Sequence, residues 1–269
     1  MLTFVEPYPA LLLRYKRQRT LIIADLHLGW EVALAEKGIH VPSQMPKLLQ
    51  KLVALIGRTR PDTLLLLGDI KHTIAKTAAE EWRDIPDFFE ALAKKVADIR
   101  IILGNHDGNL EPLLPETVRM EPSTGAPIGN VGFLHGHTWP SPELLKCRIL
   151  VIGHVHPVVM FEDPMGYRIT RQVWVRVTVD AVQLKRSLAR RNATHIIEKV
   201  VKVNECIIMP SFNDFLGGRP INQKSKGGSA KYQALSPLLR SKGTKMEEAE
   251  LFLLDGTYLG TVDQLSRLG

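Results

Sequence analysis

Five short, mostly apolar runs in this chain of 269 residues each end in a cluster of aspartate, asparagine or histidine. Residues 21–24 lead into Asp25-Leu26-His27, and residues 63–67 into Gly68-Asp69. Residues 99–103 lead into Gly104-Asn105-His106-Asp107, 131–134 into His135-Gly136-His137, and 149–152 into Gly153-His154-Val155-His156. Apolar runs of this length bounded by turn residues read as buried strands. Buried strands rarely carry such groups unless the groups are paired or bind metal. In α/β folds functional side chains collect beyond the strand ends. The chain is therefore constrained to a fold that presents several strand ends together.

The stretches between the runs are consistent with that. A polar turn between residues 11–13 and 21–24 predicts an opening hairpin. Residues 30–38 read as a short helix or ordered loop. Residues 44–58 read as an amphipathic helix, with Leu48, Leu49, Leu52, Val53, Leu55 and Ile56 at helical spacing. A second helix is expected near 84–97, a short strand at 118–120 and a helix start at Ser141-Pro142-Glu143. The alternation at 173–179 predicts a strand with a valine face and a Trp/Arg/Thr face. Residues 181–198 are expected as a helix or a helix with a break, 205–209 as a strand, and 223–230 as a loop. The Asp255-Gly256 turn predicts a last hairpin. The pattern is α/β, with a mixed order of strands and helices. We expect one domain over 1–269, with a motif-bearing core at about 1–167, a basic segment at 168–202, and a part at 203–269 that completes a second sheet.

Charge is distributed unevenly. The formal net charge is +7. Residues 1–167 hold 18 Lys and Arg against 19 Asp and Glu, residues 168–202 hold 9 against 2, and residues 203–269 hold 8 against 7. The excess sits in the middle segment, which can attract polyanions such as nucleic acid or be a solvated basic face. No apolar run reaches the roughly 18 residues of a membrane span, and the N-terminus lacks the pattern of a signal peptide. Two cysteines, Cys147 and Cys206, without CxxC spacing favour a reducing, cytoplasmic setting.

Carboxylate and imidazole together suit divalent transition metals such as Mn, Fe, Zn, Co or Ni. The clusters hold more ligands than one ion uses. Seven, with one carboxylate bridging, serve two ions, which can clamp a phosphoryl group and acidify a water. Residues two apart on an extended segment point the same way. On that reading Asp25 and His27 converge on one ion, and His154 and His156 share that spacing.

The order Asp-x-His, Gly-Asp, Gly-Asn-His-Asp, His-Gly-His, Gly-His-x-His resembles the calcineurin-like metallophosphoesterase superfamily over roughly residues 20–157. The resemblance implies an αββα sandwich of two mixed sheets flanked by helices. It implies one metal held by Asp25, His27, Asp69 and His156, and a second by Asp69, Asn105, His135 and His154, with Asp69 bridging and Mn as the favoured ion. His137 is the alternative to His135. His106 is expected to contact the phosphate and protonate the leaving oxygen, with Asp107 orienting it. His72 resembles a position near the site in nuclease members; it either touches substrate or is a solvated loop histidine. His40 and His195 read as surface or core histidines.

The run Gly68-Asp69-Ile70-Lys71-His72-Thr73 departs from the Gly-Asp-x-x-Asp-Arg-Gly of Ser/Thr protein phosphatases, and His106 argues against a catalytically dead scaffold. Two stretches, 24–31 with Gly38-Ile39 and 209–212 with Gly217-Gly218, look like the branch of ligase-associated DNA-damage-response phosphoesterases and their archaeal relatives. That implies a phosphodiesterase or nuclease. The alternatives are a hydrolase of a small phosphoester or cyclic nucleotide, and a metal-site scaffold that docks a partner protein.

Overall fold

A computed structural model describes residues 1–74, 79–190, 200–223 and 236–267. The first sheet is formed by β1 (Leu2–Phe4), β2 (Leu11–Tyr15), β3 (Gln18–Ile23), β4 (Thr63–Leu66), β5 (Asp98–Ile102) and β6 (Val118–Glu121). They lie side by side in chain order; the first three are antiparallel and β3 to β6 are parallel. The helices α1 (Trp30–Ala35), α2 (Met45–Thr59) and α3 (Ala79–Ala93) occur in the connections between the parallel strands.

The second sheet has nine strands. They are β7 (Ala126–Ile128), β8 (Val131–Leu134), β9 (Ile149–Ile152), β10 (Pro157–Glu162), β11 (Arg168–Thr178), β12 (Glu205–Ile208), β13 (Arg219–Pro220), β14 (Glu250–Leu253) and β15 (Tyr258–Thr261). β8, β9 and β12 are parallel, whereas β10, β11 and β14 join antiparallel. Among the described residues two helices follow its strands, α4 (Ala181–Ala189) and α5 (Val262–Ser266).

Side-chain alternation along each strand builds the layers. Leu21, Ile23, Leu64, Leu66, Ile99 and Ile101 pack on Leu48, Leu52 and Leu55 of α2 and on Ile85, Phe88 and Phe89 of α3. Ile22, Leu65 and Ile102, on the opposite face, meet Phe133, Val151, Trp174 and Ile207 of the second sheet. The outer face of that sheet, including Val173, Val175 and Val177, packs on Leu184 and Leu188 of α4 and Val262 and Leu265 of α5. The result is an αββα sandwich. Because its central strands are covered on both faces, they read as continuous apolar runs. A fully buried Leu in such a layer contributes about 1.5–3 kcal/mol.

Several local expectations are corrected. The second helix starts at Ala79, earlier than 84. Pro86 lies inside it, and the carbonyl it leaves without a donor belongs to the exposed Trp82. The helix start at 141–143 yields only a 3-10 turn, Leu144–Lys146. β11 begins at Arg168, five residues before the alternation at 173, because β10 pairs with its first half. Helix α4 ends by Arg190; residues 191–199, with His195, and residues 224–230, where a loop was expected, lie outside the described residues. His40 is exposed. Among the described residues no helix is long and apolar enough to cross a membrane.

Candidate metal centre

Each cluster sits just past the end of a parallel strand: β3, β4 and β5 of the first sheet, β8 and β9 of the second. Neighbouring parallel strands in register end at the same level, so their loops meet along one edge of the sandwich. The loops are tightly apposed there. A Cβ on Gly104 would lie 2.2 Å from Asp69 Oδ1, and one on Gly68 would lie 2.7 Å from both Gly104 and His135 Nδ1. Only glycine allows that approach.

Four side chains, Asp25, His27, Asp69 and His156, place one donor atom each within 4.8 Å of the others. Asp69, His135 and His154 do the same, so Asp69 belongs to both groups. Asn105 joins the second, its Oδ1 3.3 Å from His135 Nε2. Asp25, His27, Asp69 and His135 are buried, while Asn105, His106, His154 and His156 are partly exposed at the rim. His137 belongs to neither group; its ring lies 5.2 Å from that of His135 and its Nδ1 is buried without a partner. A third group is His27, His72 and His106.

Asp25 and His27 converge in one group, but not through the extended backbone that the i, i+2 spacing suggested, and His154 and His156, which share that spacing, fall in different groups. β3 ends at Ile23 and β9 at Ile152. Asp25 (φ 59°), His27 (φ 44°), Asp69 (φ 51°), His154 (φ 67°) and His156 (φ 47°) are all left-handed. Such a backbone costs an L-residue roughly 1–2 kcal/mol. Strain of this kind persists where the surroundings over-determine it and gathers at functional sites.

Those surroundings include residues that sequence reasoning missed. Ser211 Oγ donates to Asp25 O at 2.8 Å, and Asn213 Nδ2 donates to Leu26 O at 2.8 Å. Asn213 is fully buried. In the sequence Ser211 and Asn213 follow directly on the strand at 205–209, and small polar residues just past an apolar strand are the signal that marks them. Glu81, on α3, accepts from the amides of His72 and Thr73 at 3.2 and 3.0 Å. No periodicity argument distinguishes it from an exposed helical glutamate.

Asp107 was expected to orient His106. Its carboxylate instead accepts from the amides of Ile70 (2.7 Å) and Gly104 (2.8 Å), tying two ligand loops together. The Nδ1 of His106 meets the carbonyl of His72. His106 Nε2 lies 4.0 Å from Asp69 Oδ2, and its amide donates to Asp69 Oδ1 at 3.0 Å. His72 is half-buried, its Nδ1 3.3 Å from His27 Nδ1.

Ring nitrogens face one another across the centre. His27 Nε2 is 3.3 Å from His156 Nε2, and His135 Nε2 is 3.1 Å from His154 Nδ1. Burial lowers the pKa of His27 to about 3, and burial with the neighbouring His135 lowers His154 to about 4. Burial also works against charge on His135, but the hydrogen bond and charge of Asp69 outweigh it and raise His135 to about 9. The same contest raises His156, where Asp25 prevails over burial. Asp25 and Asp69 are held below the usual carboxylate range, burial opposing and the histidine partners winning. Burial raises Asp107. Converging lone pairs beside two carboxylates are a donor set that divalent cations satisfy. The residues present therefore fit metal ions.

Among solved structures, the Pseudomonas putida nuclease MPE aligns with 93% of this chain and 100% of its own at 16% identity, with a TM-score of 0.50. YfcE, a phosphoesterase from E. coli, aligns with 54% of this chain and 73% of its own at 18% identity, with a TM-score of 0.34. No curated protein sequence gives a significant match. The two mixed sheets and the Asp/His groups at their shared edge define a metallophosphoesterase. The chain belongs to the calcineurin-like phosphoesterase family, whose model matches residues 18–182.

Proposed function

We propose that the chain is a phosphodiesterase acting on nucleic acid through a two-metal centre. The observation that carries this reading is the sharing of Asp69 between two donor groups, Asp25/His27/Asp69/His156 and Asp69/His135/His154 with Asn105 beside it. In this reading those residues hold two divalent ions, with Mn the favoured one. When bound, the ions supply positive charge to the phosphoryl oxygens and acidify a water.

The protein residues then have separate tasks. His106 donates its Nδ1 proton to the His72 carbonyl, which leaves Nε2 facing the centre to hold a proton for the leaving oxygen. Asp107 keeps the loops after β4 and β5 in register through the amides of Ile70 and Gly104. His72 lines the same corner, where it contacts the substrate. The nucleic-acid part of the proposal is supported by charge. The basic segment 168–202 begins at the far end of a hairpin whose first strand, β10, leaves directly from His156. Arg168 and Arg176 are paired with Glu162 and Glu250, whereas Arg171 and the α4 cations Lys185, Arg186 and Arg190 have no carboxylate partner among the described residues.

The test is hydrolysis of bis-p-nitrophenyl phosphate and of labelled single-stranded DNA, with Mn²⁺ and with EDTA, by the wild type and by His106→Ala. Both substrates should be cleaved only with metal, and His106→Ala should lose at least 100-fold in kcat, the scale of general acid catalysis. Metal binding without cleavage of either substrate would sink the enzymatic reading. Cleavage of the small diester alone would remove nucleic acid from it.

A further inference from the structure

A second cavity, away from the metal groups, has the chemistry of a phosphate site. It measures about 280 Å³ and is lined by Trp139, Ser187, Arg190, Pro237, Arg240, Ser241 and Lys242. Three of these seven are cations, and among the described residues no carboxylate lines the cavity. None of the three has an ion-pair partner among the described residues, unlike Arg168, Arg176 and Arg267 elsewhere. Ser241 is 8% exposed, and its Oγ is buried with no hydrogen-bond partner. A buried hydroxyl without a partner calls for a ligand or ion to satisfy it.

The walls are built rather than incidental. Thr244 Oγ1 donates to the carbonyls of Leu239 and Ser241, each at 3.0 Å, which fixes the turn that carries Arg240 and Lys242. Gly243 holds that turn against α4: its carbonyl accepts from Asp180 N at 2.7 Å, and a Cβ there would lie 2.6 Å from Leu184 N. A third anchor reaches the metal centre, because Ser236 Oγ donates to the carbonyl of Gly136 at 2.7 Å. Trp139 follows His135 by four residues, so their Cα atoms lie at most about 14 Å apart. The helix C-terminus accounts for one cation, since Arg190 caps α4 where its dipole is negative. It does not account for Arg240 and Lys242, brought there from a distant part of the chain, or for the unpartnered hydroxyl of Ser241.

We infer that this cavity is a phosphate subsite that holds the backbone of the substrate strand a few nucleotides from the cleaved bond. Arg190, Arg240 and Lys242 contact the phosphate, Ser241 Oγ donates to it, and the Trp139 ring offers a stacking face to an adjacent base. The inference rests on the nucleic-acid reading of the metal centre and gives that reading a defined path along the protein.

The test uses full-length, Mn-loaded protein as wild type, Arg240→Ala/Lys242→Ala, and Ser241→Ala as a milder second variant. Binding of labelled single-stranded DNA is followed by anisotropy across a salt series, and turnover is measured on DNA and on bis-p-nitrophenyl phosphate. Losing two phosphate contacts should weaken DNA binding at least tenfold and flatten the slope of log affinity against log salt by about 1.4. The ratio of DNA turnover to small-diester turnover should fall for both variants, more for the double one. A wild type that binds and cleaves DNA, with variants that match it in affinity and salt slope, would overturn the subsite alone. A wild type that neither binds nor cleaves DNA would overturn both readings. Titration with inorganic phosphate separates the two sources of the anion. Phosphate binding lost in the double variant, with DNA binding unchanged, would mean that the cavity takes a free phosphate and that the strand proposal is wrong.

Discussion

At the scale of the residue, Asp25, His135 and His156 show how protons stand where cations fit. The raised value of His135, about 9, means that its ring is charged at neutral pH beside Asp69, and Asp25 shifts His156 in the same direction. A metal requires the His135 ring neutral, so binding must displace that proton. The sign follows: affinity for Mn²⁺ should climb as pH rises and level off above about 9, where His135 is already neutral. Calorimetric titration in two buffers of different ionisation enthalpy reads this directly, as about one proton released from His135 per protein at pH 7 and fewer at pH 9.5. A proton count near zero at pH 7 would contradict it. The left-handed backbone at five candidate ligands belongs to this scale too. Sequence spacing paired Asp25 with His27 for a reason the dihedral angles do not support, and His154 and His156, with the same spacing, join different groups.

At the scale of the element, α3 does more than cover the first sheet. Its Glu81 is nearly fully buried and accepts from two amides of the loop that carries His72. Removing an acceptor leaves a buried donor unsatisfied at a cost of about 1–3 kcal/mol. We expect Glu81→Ala to lower stability by about 2 kcal/mol in denaturant unfolding. Because the His72 carbonyl faces His106 Nδ1, the same change should lower kcat for the small diester more than it raises KM. An unchanged kcat would show that the loop holds its position without α3. The strands at this scale were largely legible, because strands buried on both faces are continuous apolar runs. β10 was not read, although Val158 to Phe161 is an apolar run: Pro157 opens it directly after the His154-Val155-His156 cluster, with no turn residues between to mark a new strand.

At the scale of the whole molecule, the centre joins two sheets that also meet through an apolar layer and through the hydrogen bonds of Ser211 and Asn213 to the loop after β3. Asp25, His27, Asp69 and Asn105 come from the first sheet's loops, and His135, His154 and His156 from the second's. A cation bound between them stabilises the folded state only. At 100 times its dissociation constant one ion adds about 2.7 kcal/mol, which for a chain of this size raises Tm by roughly 5–10 °C. Calorimetry with Mn²⁺ and with EDTA should show at least that difference. Equal midpoints would mean that the sheets are held without the ions.

The sequence by itself determined the strand ends, the residue types placed there and the family they resemble, because local periodicity and short spacing are written in order along the chain. It also located the charge excess. Only the tertiary structure decided which side chains meet. It put Asp69 in two donor groups, gave Asp107 to two backbone amides instead of His106, brought Ser211, Asn213 and Glu81 behind the ligand loops, and joined Arg190 with Arg240 and Lys242 around one cavity. These are contacts between residues far apart in the chain. They are set by how the two sheets and their loops pack, and no local pattern encodes them.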